Sequence, residues 1–130
     1  MSALFSIQSA IHDALSANSG VTALFGDPPR IWDRPPRDAI FPFASYGQTR
    51  SETLPDGLIQ HRLTLLVYSR SGGREEAANG VEAIRAALHD ADLTLGEGAL
   101  VNLRVVYADT LKSDGRTFQG LIRLRAVTES

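Results

Sequence analysis

A chain of 130 residues, 43% hydrophobic and 22% charged, is long enough to bury one sizeable core and short for two domains. Its composition lies far from the low-hydrophobicity, high-charge corner of disordered proteins, and a formal net charge of −2 supplies no overall field toward nucleic acid or an anionic membrane. The absence of cysteine excludes disulfides, thiolate metal sites and cysteine nucleophiles. A single domain over 1–130 is the expectation.

The N-terminal run Met1-Ser2-Ala3-Leu4-Phe5-Ser6 lacks the basic start and unbroken apolar stretch of a signal peptide, and no segment approaches the ~18 apolar residues of a membrane span. A cytoplasmic location without membrane contact follows as an expectation. Leu4, Ile7, Ile11 and Leu15 recur at helical spacing, and Asn18-Ser19-Gly20 supplies a stop. Val21 to Phe25 reads as one more short helical turn. Asp27-Pro28-Pro29-Arg30 and Arg34-Pro35-Pro36-Arg37 then bracket Ile31-Trp32-Asp33. Proline cannot donate to a ladder, so this region reads as an edge or a stiff surface connection, with Trp32 as a plug against the core.

Phe41 to Gln48 reads as a strand that Pro42 confines to a first position or an edge. Thr49 to Gly57, polar apart from Leu54 and closed by Pro55-Asp56-Gly57, reads as a mobile loop or a projecting hairpin arm, with Arg50, Glu52 and Leu54 as its candidate partner contacts. From Gln60 the pattern alternates: Leu63, Leu65 and Val67 on one side, Arg62, Thr64, Leu66 and Tyr68 on the other.

After Ser71-Gly72-Gly73 the period becomes helical, with Ala77, Val81, Ile84 and Leu88 as the apolar stripe. Glu75 and Glu76 suit the positive end of that helix dipole, and the preceding Ser-Gly segment reads as its N-cap. Gly80 marks either a close backbone approach or a tolerated defect. Val101, Leu103, Val105 and Tyr107 alternate with Asn102, Arg104, Val106 and Ala108. A second run sets Phe118, Gly120, Ile122, Leu124 and Ala126 opposite Thr117, Gln119, Leu121, Arg123 and Arg125. The two pair as a hairpin about Lys112 to Arg116.

The fold class read from these elements is α+β, a mixed, largely antiparallel four-stranded sheet with two amphipathic helices packed on one face. A right-handed crossover would make strands 60–69 and 100–111 parallel neighbours. The other face then carries Arg62, Tyr68, Asn102, Arg104, Arg123 and Arg125. That face reads as a solvated surface, as a subunit interface favoured by interleaved Leu66, Val106 and Leu121, or as a nucleic-acid contact, for which stacking aromatics are scarce. Twelve of the thirteen basic residues are arginine, which suits interfaces and is equally a mark of genomic base composition.

Patterns that carry chemistry are lacking. Gly96-Glu97-Gly98 begins a dinucleotide fingerprint but has no third glycine and enters a strand; Ser69 to Arg74 has no Gly-Lys-Ser/Thr ending; His12, His61 and His89 have no partner at ligand spacing; no Gly-x-Ser-x-Gly elbow exists. No catalytic, cofactor or metal residues are assigned, and a non-enzymatic protein is expected.

The stretch Gln60-His61-Arg62-Leu63-Thr64-Leu65-Leu66-Val67-Tyr68-Ser69-Arg70, with Gly72-Gly73-Arg74-Glu75, Leu100-Val101-Asn102-Leu103-Arg104 and Asp114-Gly115-Arg116-Thr117-Phe118-Gln119-Gly120, resembles a family of short proteins encoded among the structural genes of tailed phages, prophages and gene transfer agents. Ile31-Trp32-Asp33 and Phe41-Pro42-Phe43 fit the same resemblance, which covers nearly the whole chain. It implies a tail terminator, or tail completion, protein: a subunit of a hexameric ring that caps the tail tube and joins the head. The implied partners are further copies of itself, the tail tube protein and head–tail connector proteins, with DNA met only by passage through the lumen and no cofactor. The implied location is the cytoplasm during assembly and then the particle. Arg62, Tyr68, Arg104, Arg123 and Arg125 are the candidate subunit or tube contacts. Another neck component is the alternative, followed by a small ligand-binding or enzymatic domain.

Overall fold

The computed structural model describes residues 3–129. Helix α1, Ala3–Ala17, buries Ile7, Ile11 and Leu15 completely, the stripe that its 3.6-residue period dictates. Asn18 ends it and starts the next: its side chain accepts a hydrogen bond from the Val21 N–H at 3.1 Å, capping α2, Ser19–Phe25. The segment expected to be a single turn is thus a second helix, and Phe25 at its end is fully buried.

Strand β1, Ile31–Trp32, follows, then β2, Phe43–Thr53, a 3₁₀ turn at Pro55–Gly57, β3, Leu58–Ser69, α3, Glu75–Leu88, β4, Ala99–Lys112, and β5, Phe118–Glu129. The five strands form one sheet in the order β1-β2-β3-β5-β4; β1 runs parallel to β2 and every other pair is antiparallel. All three helices contribute to one core against one face, where Leu63, Leu65, Val67, Leu103, Ile122, Leu124 and Ala126 meet Ile7, Phe25, Val81 and Ile84.

The mixed α+β reading holds, with one strand and one helix more than the four and two expected. The strand missed is β1, whose two residues are too few to show a period. Strands 60–69 and 100–111 are not neighbours: β5 lies between them, because the tight Asp114 turn returns the chain directly onto β3. At that turn the Asp114 carboxylate accepts from the Arg116 and Thr117 N–H groups at 2.9 and 2.8 Å, which holds it below the usual carboxylate range.

Of the two readings of Thr49 to Gly57, the hairpin arm holds and the mobile loop does not. β2 continues to Thr53 against Ile59, so only Leu54 to Gly57 is turn and the segment is a hairpin arm. Polar residues there signal an exposed strand, not a loop. Two register shifts in β4, at Leu100/Asn102 and Val105/Tyr107, break the strict alternation expected of it. Val101 and Tyr107, read as core-facing, are about half exposed at 50% and 48%. The expected N-cap before α3 is absent too: Arg74 stands at the cap without a side-chain bond, and Ser69 Oγ donates to Glu76 at 2.8 Å instead.

Gly80 is a close approach. A Cβ there would lie 2.7 Å from Val67 and 3.0 Å from Phe25, and one at Gly120 would lie 2.5 Å from Val81 and 3.2 Å from the Ala77 carbonyl. These two glycines let α3 press onto β3 and β5.

Candidate functional site

The face of the sheet away from the helices has two halves. At one end β1, β2 and β3 gather aromatic rings: Phe43 stacks on Tyr68 at 5.1 Å between centroids, with Phe41 at 5.1 Å and Trp32 at 5.9 Å from Phe43. The Arg70 guanidinium covers Phe41 at 4.5 Å, and its Nε donates to Thr117 Oγ1 at 2.9 Å. Tyr68 therefore shares the predicted face but belongs to this cluster, away from most of the arginines.

At the other end the register sets four arginines in line. Arg50 on β2 pairs with Arg62 on β3, Arg62 with Arg125 on β5, and Arg125 with Arg104 on β4. Arg123 stands one position along, its guanidinium 5.4 Å from the Tyr107 ring centroid. The sequence-predicted residues Arg62, Arg104, Arg123 and Arg125 are thus brought together, and Arg50, assigned to a loop contact, joins them. Alternation within one strand reveals which face a residue takes; it does not reveal which residue of another strand lies opposite.

Electrostatic compensation inside the chain is slight. Among the described residues the row's one ion pair is Arg104 Nε to Asp90 at 3.5 Å, on exposed side chains, and the buried Nε of Arg125 has no hydrogen-bond partner. Gln48, Arg50, Arg62, Thr64, Val106 and Arg123 rim a shallow depression of about 270 Å³. Glu52 lies farther along the arm and accepts from Gln60 at 3.3 Å, while Leu54 is engaged at the turn, its N–H donating to Leu58 O at 2.8 Å.

On the helix side of the arm, His61 is buried between two hydroxyls, with Ser51 Oγ 2.8 Å from Nδ1 and Thr128 Oγ1 3.0 Å from Nε2. One ring nitrogen donates and the other accepts, so the neutral imidazole satisfies both hydroxyls and ties β2, β3 and β5 together. Burial pushes its pKa down, which keeps it neutral. Tyr46, hydrogen-bonded to His12 Nδ1 at 2.9 Å, has its hydroxyl pKa driven up by burial first and then by the Asp33 and Asp13 carboxylates. Among the described residues no three His, Asp or Glu side chains gather as a metal site, and no helix is long and apolar enough to cross a membrane.

One solved chain, from the virion of a native gene transfer agent (GTA) particle, superposes with a TM-score of 0.87 at 23% identity, covering 98% of this chain and 97% of that one. This likeness shows a shared fold. No curated protein matches the sequence. Residues 9–129 match the family described as tail completion protein gp17, which spans both halves of the open face and all three helices apart from the start of α1. The chain belongs to the tail completion protein gp17 family, a family of structural components and not of enzymes.

Proposed function

We propose that this protein forms a ring that terminates the tail tube of a long-tailed phage-like particle and presents the surface joining tail to head. Its family membership supports a tail completion role, and the likeness to a chain of a gene transfer agent virion supports the particle setting. The observation that carries the ring is the pair of uncovered sheet edges. β4 is a 14-residue edge strand bearing Val101, Val106, Tyr107 and Leu111, four of the six large hydrophobic side chains that are exposed among the described residues. Near its middle the chain covers that edge itself, the Asp90 N–H donating to Leu103 O at 2.8 Å and the Val105 N–H to His89 Nδ1 at 3.0 Å. From Val106 to Lys112 no such cover exists among the described residues.

On the opposite side β1 pairs with β2 only at Ala44 and Ser45, which leaves residues 47–53 of β2 uncovered. Long, partly apolar open edges are templates for strand addition. Because the two edges belong to different surfaces, contact between copies is heterologous, and a heterologous contact that closes by rotation gives a ring. β4 and β2 run in opposite directions, so the added strands meet antiparallel, the more favourable ladder.

Native mass measurement of wild type against Val106→Lys with Leu111→Lys tests this. The wild type is expected as a closed multimer and the variant as a folded monomer; a multimeric variant overturns edge pairing. Electron microscopy of particles lacking the protein then separates the roles. Overlong or uncapped tails support termination, and tails of normal length detached from heads assign the protein to the joint instead.

A further inference from the structure

We propose that the row Arg50, Arg62, Arg125 and Arg104, with Arg123 beside it, is a contact for the phosphodiester backbone of duplex DNA. The four guanidinium-bearing positions lie directly opposite one another across β2, β3, β5 and β4. At roughly 4.8 Å between strands, the row is roughly 14 Å wide. Like charges directly opposite work against sheet stability, so four in line are disfavoured by folding alone and are relieved by an anion. The chain does not provide that anion: Asp90 reaches only Arg104, at 3.5 Å, and the buried Nε of Arg125 is left without a partner.

The chemistry favours phosphate over protein carboxylate. A protein partner would need carboxylates in a line of the same pitch, and this chain's strand carboxylates do not make one: Glu52 lies opposite Gln60, Asp109 opposite Leu121, and Glu129 opposite Leu58 and Ala99. A duplex supplies about one negative charge per 1.7 Å of axis whatever its sequence. Guanidinium forks grip phosphate oxygens in pairs. Around the row stand Thr64, Gln48 and Val106, and the nearby Tyr107 ring is already engaged, by the Arg123 guanidinium at 5.4 Å and by Asp109, to which its hydroxyl donates. The contact is therefore to backbone alone, salt-sensitive and free to slide along the DNA.

DNA moving through a ring is a setting that rests on the proposed function; the contact itself does not, so assembly state and DNA binding are read separately. Polarisation of a labelled random-sequence duplex is measured against salt for the full-length wild type, for Arg50→Gln with Arg62→Gln, for Arg125→Gln, and for Arg85→Gln on the helix side. The double variant, at two exposed positions, is expected to keep its circular dichroism and to lose at least about tenfold in affinity, with a salt slope shallower by roughly 0.9 for each phosphate contact removed. Arg125→Gln is expected to move the same way, and Arg85→Gln to match wild type. A wild type that fails to bind duplex at low salt, or a double variant that binds as wild type does, overturns the proposal. Loss of particle incorporation without any DNA binding would mean that the row meets an acidic protein, and also overturns it. A monomer by native mass whose DNA binding follows the row sustains this proposal while removing the ring.

Discussion

The two faces of the one sheet are built on opposite terms. Against the helices, side chains interlock so closely that a Cβ at Gly80 or Gly120 would force a neighbour to shift; on the open face, arginines are lined up where like charges repel. The first arrangement fixes the fold, and the second is tolerated because the first is secure. Substitutions ought therefore to behave oppositely on the two sides.

The largest effect is expected at Gly120→Val. Its Cβ would meet Val81 and the Ala77 backbone, and backbone cannot swing away, so a loss of about 3 kcal/mol in urea unfolding is expected. Gly115→Ala, with nothing within 4 Å, is the matched control and should unfold with the parent. Equal behaviour of the two would mean that α3 does not press on β5 as described.

A smaller effect comes from pH. The folded-state pKa of His61 is lowered, so the unfolded chain binds the additional proton first, and stability is full above the ordinary imidazole value of about 6.5. It falls as pH drops below that value and levels off below the folded pKa. Replacing His61 with Leu should remove this slope and cost about 1–2 kcal/mol at neutral pH, because the Ser51 and Thr128 hydroxyls lose their shared partner. A slope that survives in His61→Leu would assign it to another group.

The smallest effect should have the reverse sign. Arg62→Gln removes the charge between Arg50 and Arg125 and is expected to raise stability by about 0.5 kcal/mol at low salt. The gain should fade in 1 M salt, where the screening length is about 3 Å. Thermal melts at the two salt concentrations check it; destabilisation at both would mean that the row supports the fold.

How far the sequence reveals these two faces differs. Periodicity identified the core side of β3, β5, α1 and α3 correctly, because burial acts on each element separately. It fails where register intervenes: Tyr107 changes sides at a bulge, β1 is two residues long, and the polar run holding Arg50 reads equally as a loop or a hairpin arm, since polar strand residues and polar loops look alike. The arginine row was visible as four separate residues and not as a line, because only pairing across strands creates it.

The uncovered stretches of β4 and β2 occupy diagonal corners of the sheet: residues 106–112 flank the aromatic end, residues 47–53 the arginine end. If copies join through them as proposed, each slips lengthwise relative to the last, the stagger that tilts strands in any closed barrel. Slippage of that kind closes only for one particular number of copies. The offset between the two corners would then decide how many subunits make a washer.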